Sequence, residues 1–272
     1  MVIVVNNSAK IEVDVFDKNA QPKEKTELPL VFYIPIRKDL IRRAFHAEFT
    51  AGLQPKGRDP MAGKRTPAES LGVGRGLARV PRVPGTSEGA FAPMTVGGRV
   101  AHPIKTEEKI VEEINKKERL LATASAVAAT SSIEFVKKRG HKFTSTALPI
   151  VLDSSIEKEI TKLSEAKELL KKLGVWEDVE RSYSRIRIRS GKGKMRGRRY
   201  IEPKSLLFVL SSINTPFAKA VRNLPGVDVV SANNLSILHL APGGVPGRLT
   251  IYTKDSLLKL QERFKNIRVV LR

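Results

Sequence analysis

The sequence lacks cysteine altogether, and aromatic residues make up only 6% of its 272 residues. Without cysteine the chain can form no disulfide, no thiolate metal site and no cysteine nucleophile, and this composition is typical of intracellular proteins. No run of about 18 apolar residues is present, so we expect no membrane-spanning helix. The apolar run Val2–Val5 has neither a charged leader nor a small-residue cleavage site, and it is interpreted as a strand and not as a signal peptide.

Signatures of catalysis, metal binding and cofactor binding are also lacking. The four histidines are scattered without partners at metal-ligand spacing, and no nucleophile elbow or carboxylate pair stands out. Gly72-Val73-Gly74-Arg75-Gly76 superficially resembles a dinucleotide fingerprint, but its spacing is wrong and no strand and helix are expected around it. We therefore expect no catalytic residue, no metal and no cofactor.

Acidic residues are scarce where basic residues are dense. The formal net charge is +21, and residues 51–105 and 185–200 together carry +14 of it. Residues 185–200 contain eight basic residues and no acidic one. Such a localised excess predicts a polyanionic partner, and nucleic acid is the obvious candidate.

The first basic segment, residues 51–104, has little that could form a core. It holds ten of the nineteen glycines, seven of the sixteen prolines and one aromatic residue, Phe91. Loops without regular structure longer than about 12–15 residues are uncommon in compact domains and are usually functional or disordered. A segment that cannot bury itself but carries cations along its length is expected to be buried in RNA. Its candidate RNA-binding residues are Lys56, Arg58, Lys64, Arg65, Arg75, Arg79, Arg82 and Arg99.

The second basic segment begins with the alternation Arg185-Ile186-Arg187-Ile188-Arg189, which is typical of an amphipathic edge strand. The cations continue beyond that alternation, and they repel one another unless phosphates lie nearby. Arginine favours bidentate phosphate contacts and stacking on unpaired bases, whereas Tyr200 is the only aromatic platform here. The candidate RNA-binding residues are Arg185, Arg187, Arg189, Lys192, Lys194, Arg196, Arg198 and Arg199.

Outside these segments, alternating strand and helix patterns predict an α/β fold, a three-layer sandwich around a mainly parallel sheet. We expect one domain, residues 1–272, interrupted by an extended Gly/Pro/Arg-rich loop at about 51–105 and a second basic loop at about 185–200. Strands are predicted at residues 147–152, 205–210, 227–230 and 249–252, and helices at residues 39–49, 176–183, 216–223 and 255–264.

Three further patterns also predict regular structure. Val2–Val5 and Ile11–Phe16 are expected to form a hairpin that turns at Asn6-Asn7-Ser8. Thr106, followed by two glutamates, is expected to open a helix that reaches Ala128. Asn234–Leu240 is interpreted as a possible strand.

Several stretches of the chain carry a family resemblance: Gly72–Arg82, Gly97–Pro103, Asn115–Arg119, Arg189–Tyr200, and Ala241–Gly244 with Gly247–Leu249. With them the chain resembles the universal large-subunit ribosomal protein four ("L four") family, over essentially its whole length. Bacterial members differ at residues 189–200, so the resemblance is to the archaeal and eukaryotic form. The chain ends at Arg272 without the long basic tail of eukaryotic relatives, which favours an archaeal member.

The resemblance implies a cytoplasmic, structural constituent of the large ribosomal subunit that binds rRNA and stabilises its fold during assembly. Its partners would be large-subunit rRNA, neighbouring ribosomal proteins and the nascent peptide, with no membrane. The long loop would penetrate the rRNA, flanked by Lys64, Arg65 and Arg99, and its tip would line the nascent-peptide exit tunnel. The implied tip residues are Gly72, Val73, Gly74, Arg75, Gly76, Leu77, Ala78 and Arg79.

One departure and two alternatives stay open at this point. Thr86-Ser87-Glu88 stand where the family has more basic residues. An RNA-binding regulator of its own messenger RNA would have the same composition. An α/β enzyme acting on RNA or a nucleotide, with the loop as a lid, would need acids or histidines near the carboxyl edge of the sheet, and none stand out.

Overall fold

The computed structural model describes residues 2–5, 11–145 and 147–271. The chain forms two compact units, which are Met1–Phe49 with Glu113–Arg272, and Thr50–Glu112. We call the first the body and the second the loop unit.

Short strands and helices alternate along the body. The strands are β1 (Val2–Val5), β2 (Glu12–Phe16), β3 (Pro22–Glu27), β4 (Ile150–Leu152), β5 (Arg187–Ile188), β6 (Tyr200–Ile201), β7 (Leu207–Leu210), β8 (Asp228–Ser231), β9 (Thr250–Thr253) and β10 (Arg268–Leu271). The α-helices are α1 (Lys38–Ala51), α2 (Lys116–Ala128), α3 (Ile133–Arg139), α4 (Ile156–Glu159), α5 (Leu163–Lys172), α6 (Trp176–Ser184), α7 (Pro216–Val221), α8 (Ile237–Leu240) and α9 (Lys254–Arg263). Short 3-10 helices lie at Leu30–Tyr33, Lys192–Arg196, Ala232–Asn234 and Pro242–Gly244.

The centre of the body is a six-stranded sheet with the order β3-β2-β4-β9-β7-β8. All neighbouring strands are parallel except the pair β2 and β3. Every residue of strands β4, β7 and β9 is buried, as expected for parallel strands covered on both faces. Strands β4 and β7 are apolar throughout, whereas β9 begins and ends with threonine. The predicted α/β fold around a mainly parallel sheet is confirmed.

Helices cover both faces of this sheet. Because side chains alternate along a strand, Leu207 and Val209 of β7 face a core that also contains Ile41 of α1. Phe208 and Leu210 of the same strand face a second core, on the side of α4, α5 and α7. The result is the expected three-layer arrangement of helices, sheet and helices.

Strand β3, which forms one edge of the sheet, is not predicted from the sequence. Strand β3 has the sequence Pro-Lys-Glu-Lys-Thr-Glu, and it is mostly exposed. Lysine and proline on an edge strand discourage pairing with further chains. Those charges also erase the apolar signal by which a strand is recognised.

The expected hairpin of β1 and β2 is wrong. Strand β2 pairs with β3, and β1 pairs in parallel with β10 at the other end of the chain. The proposed turn, residues 6–8, lies outside the described residues. A parallel partner comes from a distant part of the chain, so local spacing does not reveal it.

The helix expected from Thr106 begins only at Lys116. The preceding residues run back along the loop unit and bond to its outgoing arm. The amide of Arg58 donates to the carbonyl of Ile104 at 3.2 Å, and the amide of Glu112 donates to Oγ1 of Thr50 at 3.1 Å. This pairing of the two arms overrides the local helical pattern.

The possible strand at Asn234–Leu240 is wrong as well, because Ile237–Leu240 forms α8. Ser236 caps this helix, and its amide donates to Nδ1 of His239 at 3.3 Å. This reciprocal cap favours helix over strand.

The buried side chain of Arg248 holds the loops between strands together. Its guanidinium donates to the carbonyl oxygens of four residues and to the carboxylate of Asp228, at 2.6 Å, and no part of the residue is exposed. The four carbonyl acceptors, at 2.9–3.1 Å, belong to Ser205, Leu206, Gly226 and His239. A half-exposed lysine, Lys204, binds the second oxygen of Asp228 at 2.8 Å. Arginine suits this position because its donors fan out in one plane.

A second buried polar cluster surrounds Asp178. Nδ1 of His141 lies 2.9 Å from its carboxylate, and Nε of Arg181 donates to it at 2.8 Å. Burial alone would raise the pKa of Asp178, but these hydrogen bonds hold it below its ordinary value. Burial lowers the pKa of His141. Within the described residues Nε2 of His141 has no hydrogen-bond partner, so protonating it would bury an unpaired N–H group.

Candidate nucleic-acid interface

The loop unit is held by backbone pairing and not by an interior. Residues 50–112 are all described, and none of them is buried. Short bridges connect Arg82 to Glu69 and to Gly89, and the two backbone hydrogen bonds between Glu69 and Arg82 measure 3.0 and 3.2 Å. The unit therefore has a defined course but no apolar core.

The predicted tip is an exposed bend within this unit. Oγ of Ser70 donates to the carbonyl of Arg79 at 3.1 Å and so closes residues 71–78 into a loop. Gly72, Gly74 and Gly76 have φ angles of 73°, 83° and 65°, a region that favours glycine. Every residue from 71 to 79 is exposed, including 77% of Val73. The bend presents main chain, small apolar side chains and two arginines, Arg75 and Arg79.

The predicted cations of the loop unit fall into two groups. Lys56, Arg58, Lys64, Arg65, Arg75 and Arg79 are exposed, whereas Arg82 and Arg99 are half-buried. Among the described residues, Arg65 is the only one of these eight that forms an ion pair, and its partner is Asp59. The hydrogen bond from Arg65 lowers the pKa of Asp59, so that carboxylate stays charged at neutral pH.

The two half-buried arginines contribute to the structure of the loop unit. Arg82 donates through its guanidinium to the carbonyl of Ser87 at 2.8 Å. Arg99 lies over the ring of Phe91, 5.7 Å from its centroid. The unusual stretch Thr86-Ser87-Glu88 lies in the turn that Arg82 binds, since the amide of Val83 also donates to the carbonyl of Glu88 at 2.9 Å.

The second basic segment folds into what we call the basic hairpin, residues 185–201. Strands β5 and β6 pair antiparallel, with Arg187 opposite Ile201, and the 3-10 helix Lys192–Arg196 lies between them. Arg189 closes the hairpin, because its amide donates to the carbonyl of Arg199 at 2.8 Å and its Nε to the carbonyl of Arg198 at 2.9 Å. Only Arg187 and Ile188 of the alternating stretch form a strand, and it pairs with β6 alone.

Within the described residues, the cations of the basic hairpin are free of carboxylates. All of them except half-buried Arg189 are exposed, and within the described part of the chain none forms an ion pair. The hairpin also exposes apolar surface, including 57% of Ile188, 79% of Met195 and 59% of Tyr200. This combination of free cations and uncovered apolar side chains suits an RNA surface that contacts both phosphates and bases.

Sequence reasoning missed a third basic surface, on the body. Lys38, Arg42 and His46 lie four residues apart on α1 and line a cleft together with α3. Their spacing was the only signal that could have indicated it, because i, i+4 and i+8 share one helix face.

The described residues contain no group of three His, Cys, Asp or Glu side chains arranged to hold a metal ion. No described helix combines the length and the apolar composition that crossing a membrane requires.

The chain is similar to known proteins over most of its length. Residues 26–263 match the ribosomal protein L4/L1 family. The chain belongs to this family. It is 59% identical over 251 residues to the large ribosomal subunit protein uL4 of Sulfurisphaera tokodaii, covering 92% of this chain and 94% of that protein. It is 57% identical over 253 residues to the Aeropyrum pernix uL4, with 93% of each chain covered.

A third relative, the uL4 of Saccharolobus solfataricus, is 55% identical over 255 residues, which cover 93% of this chain and 95% of that protein. These relatives are archaeal, so the predicted family and its archaeal type are confirmed. The matched range 26–263 includes the whole loop unit and the basic hairpin.

Proposed function

We propose that this protein is a structural, non-catalytic component of the large ribosomal subunit in the cytoplasm. The loop unit and the basic hairpin bind large-subunit rRNA and stabilise its fold during assembly. The exposed bend at residues 71–79 lines the nascent-peptide exit tunnel. The proposal rests on membership of the ribosomal protein L4/L1 family and on relatives named as large ribosomal subunit protein uL4.

One observation carries the RNA-binding proposal: dense cations without carboxylate partners lie on segments without an interior. Of the eight candidate cations in the loop unit only Arg65 is ion-paired within the described residues, and in the basic hairpin no cation is. Like charges held this close repel one another, and this repulsion is relieved when phosphates lie beside them. Binding also releases the counterions of the phosphates, which is favourable. Apolar side chains such as Val73 and Met195 are then covered by the same partner.

The tunnel proposal comes from the resemblance to the family, and the character of the bend is compatible with it. A tunnel wall that passes many different peptides needs short side chains and a backbone that turns tightly, and the three positive-φ glycines supply both. Arg75 within the bend and Arg79 at its base are exposed and can bind rRNA.

The RNA-binding proposal is tested by assembly of the full-length chain. The variant Arg75→Ala/Arg79→Ala should leave the body folded but reduce the fraction of protein that co-sediments with large subunits through moderate salt washes. The matched control, Lys158→Ala/Lys162→Ala, removes two exposed cations from the body. Equal retention of both variants and the wild type would contradict the assigned role of these arginines.

The tunnel proposal needs its own test. A photoreactive amino acid at position 73, in ribosomes stalled with a labelled nascent chain, should cross-link to that chain. The same group at position 195, on the basic hairpin, serves as the comparison and should not. Cross-links from position 73 to rRNA alone would refute the tunnel location and leave RNA binding intact.

A competition experiment distinguishes the ribosomal role from regulation of the protein's own messenger RNA. rRNA fragments should displace the protein's own transcript from the full-length chain, and preferential binding of that transcript would favour the regulatory alternative.

A further inference from the structure

A cleft of about 640 Å³ on the body lies outside both basic segments. One wall is the face of α1 that carries Lys38, Arg42 and His46, and a second is formed by Phe135, Lys138 and Arg139 of α3. The third wall is the backbone of residues 243–246. All three walls belong to one compact unit.

The rim of this cleft is cationic. None of the residues that line it is acidic. Lys38, Arg42 and Lys138 are exposed, and within the described residues no carboxylate lies within ion-pair distance of them. Asp39, the nearest acid in sequence on α1, is bound to Arg37 at 2.5 Å instead.

Arg139 has a different role, because it fixes the third wall. Its guanidinium donates to the carbonyl of Pro242 at 2.8 Å and also to the carbonyl of Val245. Burial, with contributions from Arg248 and Arg181, lowers the pKa of Arg139 to about 10. It therefore remains charged at neutral pH and adds positive potential to the cleft.

The second wall of the cleft contains an aromatic ring. Phe135 is half-buried, and Nζ of Lys38 lies 5.0 Å from its centroid. Residue 247 must be glycine for the third wall to come this close. A Cβ atom there would lie 2.6 Å from the carbonyl of Phe135, and its φ angle is +93°. Gly247 thus lets the chain that follows the third wall pass close to the backbone of Phe135.

We propose that this cleft receives one unpaired nucleotide of RNA, with its base against Phe135 and its phosphates on Lys38, Arg42 and Lys138. Unpaired bases stack on aromatic rings, and lysine and arginine bind the flanking phosphates. The volume lies in the usual range for sites that enclose a small ligand, about 300–1,000 Å³. The inference rests on the proposed RNA-binding function, but it adds a contact on the body that neither basic segment provides.

Photo-cross-linking of assembled large subunits tests the occupant directly. The full-length chain with p-benzoylphenylalanine in place of Phe135 is incorporated into subunits and irradiated. We expect a cross-link to rRNA that maps to a single unpaired position. A cross-link to a ribosomal protein, which would mean that an acidic peptide segment fills the cleft, overturns the proposal, and so does the absence of any cross-link.

Binding of the full-length chain to a large-subunit rRNA transcript provides the second test. Phe135→Leu keeps an apolar side chain in the second wall but removes the aromatic face, and it should weaken binding about five- to a hundredfold. Lys38→Gln/Arg42→Gln/Lys138→Gln should lower the slope of log affinity against log salt by about 2. The control Lys158→Gln/Lys162→Gln/Lys171→Gln removes equal charge from α4, α5 and the turn between them, outside the cleft.

The outcomes separate the two proposals. If both triple variants change the slope equally, or if Phe135→Leu binds like the wild type, the cleft is not a nucleotide site. If the cleft variants bind normally while cations removed from the basic hairpin weaken binding, the cleft proposal fails and the proposed function stands. If no basic variant affects binding, the proposed function fails with it. Thermal unfolding of every variant verifies that the body is folded.

Discussion

Replacing four arginines of the basic hairpin by glutamine should reduce the salt dependence of rRNA binding without unfolding the body. The four are Arg185, Arg187, Arg196 and Arg198, whose side chains are exposed and form no ion pair within the described residues. Arg189 is left in place because its Nε donates to the carbonyl of Arg198 and closes the hairpin. Arg199 is also kept, since its guanidinium lies over the ring of Tyr200.

The size of the effect follows from the number of phosphates that these side chains neutralise. Each phosphate contact contributes about 0.7–0.9 to the slope of log affinity against log salt, so losing four contacts should lower the slope by about 3. Over a fourfold rise in salt, from about 50 to about 200 mM, the wild type should then lose about a hundredfold more affinity than the variant. The free energy of unfolding should barely change, because exposed charges without partners contribute little to it.

The assay is a filter-binding or fluorescence titration of the full-length chain against a large-subunit rRNA transcript at four or more salt concentrations. Replacing four exposed body lysines by glutamine is the matched control, and Lys158, Lys162, Lys171 and Lys172 are suitable. The control should change the slope by less than about 1. An unchanged slope for the hairpin variant would refute the proposed phosphate contacts of these four arginines. Equal slopes for the hairpin variant and the lysine control would mean that the change in slope is a nonspecific effect of net charge.

Two further predictions concern the body. Arg248→Met should lower the free energy of unfolding by about 3–5 kcal/mol, because it leaves the buried carbonyls and one carboxylate oxygen of Asp228 without the hydrogen-bond donors of Arg248. Lys204→Met, which removes the exposed partner of the same carboxylate, should cost less than about 1 kcal/mol in urea unfolding. Similar losses for both would contradict the assigned role of burial. Because the pKa of His141 is lowered in the folded state, stability should be complete above the unfolded value of about 6.5 and decline as the pH falls through the folded value. His141→Gln should flatten this decline in unfolding titrations between about pH 7 and about pH 5, although His239, whose pKa burial also lowers, preserves part of it; an unchanged pH profile would contradict the assignment.

The parts of the fold that could be predicted from sequence are those where the burial pattern is local. Strands β4 and β7 are covered on both faces, so each is a continuous apolar run that stands out from its surroundings. The helices of the second core, such as α6, likewise follow from their own periodicity.

What could not be predicted depends on partners far along the chain. The pairing of β1 with β10, the charged edge strand β3 and the late start of α2 are all decided by tertiary contacts. Propensity is a weak guide where such contacts compete with it.

The candidate interface could likewise be predicted only in part. Cation density along the chain identified both basic segments, because the charges are neighbours in sequence. It could not reveal that Arg82, Arg99 and Arg189 bind the protein's own carbonyls or rings. The cleft at Phe135 could not be predicted from the sequence, because its walls come from three separated stretches of chain.

The place of β9 in the sheet has a consequence for the order of events during synthesis. It lies between β4 and β7, yet residues 250–253 are made after every other strand of this sheet. Until they leave the ribosome that is translating them, the two halves of the sheet have no strand to join them. Residues 50–112 and 185–201 emerge earlier and are free to meet a polyanion while the body is still unfinished. Capture by RNA can therefore precede completion of the fold.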